Sequence, residues 1–226
     1  MADVVLEGRG VRLSYGDTPA LLGCDIALEA GQRVALMGPS GSGKSSLLHC
    51  LAGVIRPDAG EVHLEGIRVD RLSEAARSRL RLRRMGIVFQ FGDLVPELTL
   101  IENVMLPLQL LGHNARDAGA RAFEMLDALG VADVADSRAG AVSGGQAQRA
   151  AVARALVHEP PIVLADEPTG SLDTVSAEVV LDAMTSLTGR LGAALLLVTH
   201  SNMVASHLDE LVTIRDGRLD AAAAAR

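Results

Sequence analysis

Along the first third of the chain, apolar residues alternate with polar ones or gather in short runs between glycine-bearing turns. The segments are VVLEGRGVRLSY from Val4, CDIALEAG from Cys24, RVALMG from Arg33 and EVHLEGIRV from Glu61. Period-two alternation and short apolar runs bounded by Gly predict strands, so this third reads as sheet. From about Phe91 to Val157 the strand signals fade and helical spacing takes over, as in Phe123, Leu126 and Leu129, with Met125, ahead of Gly130. Strands return as PIVLAD from Pro161 and AALLLVTH from Ala193. Between them Val180, Ala183, Met184, Leu187 and Leu191 share one face of a helix. ELVTIRDGRL from Glu210 closes on an Asp216-Gly217 hairpin turn. The economical layout is a helical insertion between two halves of one core sheet, ending in a frayed AAAAAR tail, with no internal repeat or long linker.

Composition narrows the class. At 226 residues, 49% hydrophobic and 22% charged, the chain can bury one sizeable core, and length alone favours one or two domains. A net charge of −7 argues against nucleic acid or anionic lipid as the main partner, because such surfaces reward clustered Lys and Arg. The one basic run, Arg77 to Arg84, reads as a solvated helix face. Cys24 and Cys50 show no Cys-x-x-Cys spacing and read as buried, reduced thiols in the cytoplasm. No stretch approaches the roughly 18 consecutive apolar residues of a spanning helix, and MADVVLEGRG lacks the pattern of a secretion signal. The expectation is a protein neither secreted nor integral to a membrane.

Chemistry enters at GPSGSGKS, Gly38-Pro39-Ser40-Gly41-Ser42-Gly43-Lys44-Ser45, between the strand RVALM and the helix SSLLHCLAG. A strand, a Gly-rich turn and a helix N-terminus form an anion site. Gly38, Gly41 and Gly43 can turn successive N–H groups around a β-phosphate, the Lys44 ammonium reaches the β- and γ-oxygens, and the Ser45 hydroxyl is placed to ligate Mg²⁺. The expected ligands are therefore ATP and Mg²⁺. In IVLADEP the strand delivers Asp166 and Glu167 at its C-terminal end, where α/β ligand sites collect. Asp166 is expected to hold Mg²⁺ through a water, and Glu167 to orient and deprotonate the attacking water.

The phosphate loop, VSGGQAQR from Val142, LADEP and a histidine closing the next strand together resemble the nucleotide-binding subunit of an ABC transporter, over nearly the whole chain. The resemblance implies an α/β fold: a RecA-like P-loop core with an N-terminal antiparallel β part and an inserted α-helical subdomain. Residues 1–226 are then a single ABC ATPase domain, with the core at about 1–90 and 158–219, the helical part at about 91–157 and a tail at 220–226. It implies that Ser143, Gly144, Gly145 and Gln146 point at the ATP of a second copy. A Ser hydroxyl and free glycine N–H groups at a helix start do make a second anion site, although Ser143 also suits an N-cap. By the same resemblance Gln90 touches Mg²⁺ or the attacking water, and His200 contacts the γ-phosphate and holds Glu167. Ser171, Leu172 and Asp173 cross the dimer interface, where Asp173 suits an N-cap equally. Tyr15, the only tyrosine, falls where an aromatic stacks on adenine. Ser46 stands where the family often has Thr, and its hydroxyl can bond an α-phosphate. The signature opens with Val142 rather than Leu, and Ser201 follows His200 where an acid is common.

The segment from Phe89 to Gly112 is similar to that of small cassettes serving macrolide exporters, lipoprotein-release complexes, antimicrobial-peptide resistance systems and the cell-division pair. The resemblance implies an ATP-dependent dimer with a second copy, an integral membrane permease as partner, no nucleic acid, and a cytoplasmic position peripheral to the inner face of the membrane. Phe91, Leu94, Val95, Leu98 and Leu100 are open to two readings, core or a groove for a permease helix. The alternative function is a soluble ABC ATPase acting on the ribosome or DNA. Against it stand the short stretch between Ser45 and Ser143, which leaves no room for a long coiled coil, the single cassette, and the lack of a zinc-type cysteine cluster or basic arm.

Overall fold

A computed structural model describes residues 3–90, 93–170 and 172–220. The expectations placed on Phe91, Ser171 and the AAAAAR tail lie outside the described residues. In the N-terminal part β1 (Val4–Tyr15) pairs antiparallel with β2 (Thr18–Glu29) on one side and β4 (Ala59–Leu64) on the other, and β5 (Ile67–Arg68) extends the edge as a β2-β1-β4-β5 sheet. β2 starts six positions before the predicted CDIALEAG, because Tyr15 pairs with Thr18 across a tight Gly16-Asp17 turn. The pairing partner, not the local pattern, sets that boundary.

The second sheet has the order β10-β9-β3-β8-β7-β6, built from β3 (Arg33–Met37), β6 (Met85–Val88), β7 (Ile162–Asp166), β8 (Ala194–Thr199), β9 (Glu210–Arg215) and β10 (Arg218–Leu219). All its pairs are parallel except the terminal β9-β10 hairpin. Strands of such a sheet are covered on both faces, which is why PIVLAD and AALLLV read as continuous apolar runs. Their side chains divide by alternation: Ile162, Leu164, Leu196 and Val198 enter one core, and Val163, Ala165, Leu195 and Leu197 the other.

The first core is closed by α1 (Lys44–Leu51), whose Leu47, Leu48, Cys50 and Leu51 lie between the two sheets. The second is closed by α3 (Leu100–Leu110), α4 (Ala115–Ala128), α5 (Gly144–Leu156) and α6 (Thr174–Leu191). Buried side chains of the helical layer thus join one face of the parallel sheet in a single apolar cluster. Asn103 in α3 is fully buried and pins the preceding loop, donating to Val95 O and Thr99 O and accepting from Val95 N–H. Leu100 belongs to this core, while Val95 is 38% exposed. α2 (Glu74–Arg84) and α7 (Asn202–Ala205) complete the described helices.

Three local expectations are corrected. Arg77 to Arg84 is not a wholly solvated face: Arg77 is 8% exposed against Glu74, and Arg81 donates to Gly53 O, so α2 is bolted to the end of α1. Phe123 is 48% exposed, because α4 buries Ala118, Ala122 and Leu126 and turns Phe123 outward. Leu191 is 37% exposed at the end of α6, whose inner face instead adds Ala177, Leu181 and Thr188.

Both thiols are free and buried, and burial pushes Cys50 from 9.0 up to about 12. Since only the thiolate is nucleophilic, Cys24 and Cys50 are expected to resist a thiol reagent at about pH 8 in the native protein and to label together in denaturant. Rapid labelling of native protein by mass spectrometry would contradict this packing. Because the folded Cys50 keeps its proton where the unfolded thiol ionises, its contribution lowers stability as pH rises from about 9 towards 12.

Candidate nucleotide site

β3 ends at Met37, and the chain then turns through Gly38 to Gly43 into α1. Gly38 does not need a left-handed backbone. A Cβ there would stand 2.2 Å from Ile214 O, so the requirement is for space beside β9. Gly41 and Gly43 do adopt positive φ, at 78° and 104°, and a Cβ on Gly43 would reach 2.5 Å from Ala20 O. The α1 N-terminus carries no side-chain cap and no acidic residue in its first turn. Its leading N–H groups therefore lack intrahelical partners and favour an anion. Lys44 is 9% exposed and its Nζ donates to Gly38 O and Pro39 O at 2.8 and 2.9 Å. The ammonium is held over the turn by the turn's own carbonyls.

A cleft of about 520 Å³ opens on this turn. Tyr15, Ser40, Gly41, Gly43, Lys44, Ser45, Ser46, Gln90, Glu167 and His200 line it, all expected from sequence. Thr18, Pro19 and Ala20 line it as well and were missed, because only the β1-β2 turn brings them beside α1. Tyr15 is 54% exposed, with its hydroxyl 3.4 Å from Ser46 Oγ.

Glu167 follows β7 in the left-handed region at φ 46°, a conformation costing about 1–2 kcal/mol outside glycine. Its N–H donates to Val198 O and its carbonyl accepts from Gly170 N–H, which holds the strained backbone. The turn lifts its carboxylate to the His200 ring, with Oε1 2.8 Å from Nδ1. The carboxylate is 15% exposed and the imidazole 72%, so the pair has a sheltered side and an open one. One residue earlier, Asp166 is 9% exposed and its Oδ1 is buried without a partner. Among the described residues no three His, Cys, Asp or Glu side chains cluster to hold a metal. An orphaned carboxylate oxygen fits Mg²⁺, which takes few protein ligands and shares phosphate oxygens, while Ser45 and Gln90 but not Asp166 line the cleft itself.

Ser143, Gly144, Gly145 and Gln146 do not join this cleft in one chain. They open α5 with a capping box: Ser143 Oγ accepts from Gln146 N–H, and Gln146 Oε1 accepts from Ser143 N–H. Capping uses a lone pair of Ser143, leaving its hydroxyl proton to donate outward. Asp173 caps α6, accepting from the Ser176 hydroxyl at 2.6 Å and its N–H at 3.0 Å, and these bonds hold its carboxyl below the ordinary value.

With this geometry in place, residues 21–170 match the family described as ABC transporter. The chain belongs to that family. It is 44% identical over 97% of its length, and 98% of the relative's, to the lipoprotein-releasing system ATP-binding protein LolD 2 of Caulobacter vibrioides. It is 41% identical, over the same shares, to the lipoprotein-releasing system ATP-binding protein LolD of Legionella pneumophila. A dimeric post-hydrolysis state of an ATP-binding cassette bound to ADP and Pi superposes with a TM-score of 0.90 at 32% identity, covering 98% of this chain and 99% of that one. This ABC cassette is thus a nucleotide-binding ATPase with a RecA-like core.

Gly38→Ala is expected to lower stability by about 1–3 kcal/mol, since its Cβ has no room beside β9, and to weaken nucleotide binding. Urea unfolding and titration with a fluorescent ATP analogue check both. An alanine variant with parental values would show that β9 does not confine the loop.

Proposed function

We propose that this cassette is the ATPase of a membrane lipoprotein-releasing complex, working as two copies that close on two ATP molecules and drive an integral membrane permease. The observation carrying the catalytic part is the Glu167 carboxylate held by His200 at 2.8 Å across the cleft from Lys44. The cargo reading is supported by the lipoprotein-releasing names of relatives at 41–44% identity over nearly full length. Among the described residues no helix is long and apolar enough to cross a membrane, in keeping with a separate membrane partner.

Each role follows from the chain's own atoms. N–H groups of Ser40, Gly41, Gly43, Lys44, Ser45 and Ser46, which line the cleft, surround the phosphates, and Lys44 exchanges its two carbonyl acceptors for phosphate oxygens. Tyr15 offers an exposed ring face to adenine. Ser45, Gln90 and, through a water, Asp166 would hold Mg²⁺, whose charge offsets that developing on the transferred phosphoryl group. Glu167 takes a proton from the attacking water, and His200 fixes its orientation and reaches toward the γ-phosphate.

A cleft open on one side needs a second anion-binding surface to exclude water. The exposed α5 start supplies it in trans, with the Ser143 hydroxyl, the Gly144 and Gly145 N–H groups and Gln146, and Asp173 crosses the same interface. Binding energy spent at two composite sites shifts the equilibrium toward the closed dimer, and hydrolysis removes it.

Glu167→Gln is expected to keep Mg-ATP binding, to cut kcat by at least about 10²-fold and to accumulate an ATP-bound dimer on size exclusion. His200→Ala is expected to lower kcat with nucleotide affinity kept within a few-fold. Parental phosphate release by Glu167→Gln would remove the base assignment. Capture of that variant with Mg-ATP from detergent-solubilised native membranes is expected to recover an integral membrane protein together with lipoprotein. Ribosomes or DNA in its place would overturn the partner reading.

A further inference from the structure

We propose that Gln148 and Arg154, both on α5, are positioning residues that hold the Phe89 carbonyl just before Gln90 and the Asp93 carbonyl after it and tie them to the helix opening at Ser143. The proposal rests on the reading of Gln90 as a residue that serves hydrolysis. Gln148 is 2% exposed, and its Nε2 donates to Phe89 O at 3.2 Å. That carbonyl belongs to the peptide group whose nitrogen is that of Gln90, so the bond fixes the plane from which the Gln90 side chain departs. On the far side Arg154 Nη1 donates to Asp93 O at 2.9 Å, where Asp93 sits in the left-handed region at φ 45°.

The inner face of α5 is otherwise small and apolar, with Ala150, Ala151, Val152, Ala153, Ala155 and Leu156 buried. A buried amide is costly there unless its hydrogen bond is made, and an aliphatic side chain would serve packing alone. The helix also has no slack against the strand that ends in this segment. A Cβ on Gly86 of β6 would lie 2.3 Å from Ala155 O, so backbone rests on backbone. At the other end Arg149 Nη1 donates to Gly130 O at 3.3 Å, fastening α5 to the end of α4. A force on the α5 N-terminus, where a second copy's nucleotide would bind, therefore reaches the Phe89 and Asp93 carbonyls through the Gln148 and Arg154 hydrogen bonds as well as through the contact with β6.

The test compares Gln148→Met, which keeps volume and loses the donor, with Arg154→Met, Arg154→Lys, the double methionine variant and Gln90→Ala as reference. Melting temperature, binding of a fluorescent ATP analogue and steady-state ATPase activity are measured for each. We expect each methionine variant to lower kcat about tenfold with KM and analogue affinity within about threefold, and the double variant to lose no more than the worse single. Arg154→Lys is expected to restore most of the rate. A Gln148→Met kcat within twofold of the parent overturns the proposal, and so does a parallel loss of melting temperature and analogue binding, which marks packing alone. A parental kcat in Gln90→Ala overturns the Gln90 reading itself and the proposal with it, and is distinguishable because the Gln90 change is then silent.

Discussion

Three pieces of backbone meet without side chains where the chain leaves β3, and the rest of the site depends on that crowding. Gly38 abuts the Ile214 carbonyl, Gly43 abuts the Ala20 carbonyl, and Gly217 would bring a Cβ within 2.8 Å of the same Ala20 oxygen. Gly217 N–H donates to Ser42 O, while Gly217 O accepts from Leu22 N–H and from the Cys24 thiol. The phosphate loop is thereby wedged between β2, from the antiparallel sheet, and the β9-β10 hairpin. Any side chain at these points would open the wedge and move the α1 N-terminus, whose unpaired N–H groups face the cleft. Rigid placement of those donors before a ligand arrives lets them act on charge without reorganisation.

The opposite wall of the cleft is built by a different device. β7 and β8 run parallel and fully buried, and each ends at a buried polar residue, Asp166 or Thr199, whose successor lines the cleft: Glu167 from one, His200 from the other. The left-handed turn at Glu167 breaks the strand alternation, so that consecutive carboxylates serve different places. Asp166 stays behind with an orphaned oxygen, and Glu167 comes forward onto His200. Such local strain persists where neighbouring hydrogen bonds hold it, here from Val198 and Gly170.

The helical layer is bound to the site through the second face of the same sheet. Because Val163, Ala165, Leu195 and Leu197 pack with residues of α3, α4, α5 and α6, the insertion shares a core with the strands that deliver the catalytic candidates. A shared, closely packed core transmits displacement rather than absorbing it. This makes a helix start remote from the phosphate loop a suitable place for a second copy to act.

Much of this was legible in the chain. The P-loop spacing, the buried strands ending at Asp166 and His200, the Ser143 cap and the Asp216-Gly217 turn all depend on near neighbours and on period, and the structure places them as read. What went astray depended on partners distant in sequence. Phe123 fits a helical stripe as well as Ala122 does, and only the direction of α3 and α5 decides which is buried. Gly38 looks like a residue wanted for its torsion angles, and only β9 shows that it is wanted for its missing Cβ. Thr18 and Ala20 carry no local signal, and Gln148 lies inside VSGGQAQR without any sign there of its partner, because these placements come from a strand pairing or a carbonyl elsewhere in the chain. By itself, then, the sequence determined the elements, the chemistry of the phosphate site and the family. The tertiary structure alone decided which backbone atoms press on the loop and which helix holds the Gln90 segment, since steric contact and hydrogen-bond reach are properties of position in space, and sequence spacing does not encode them.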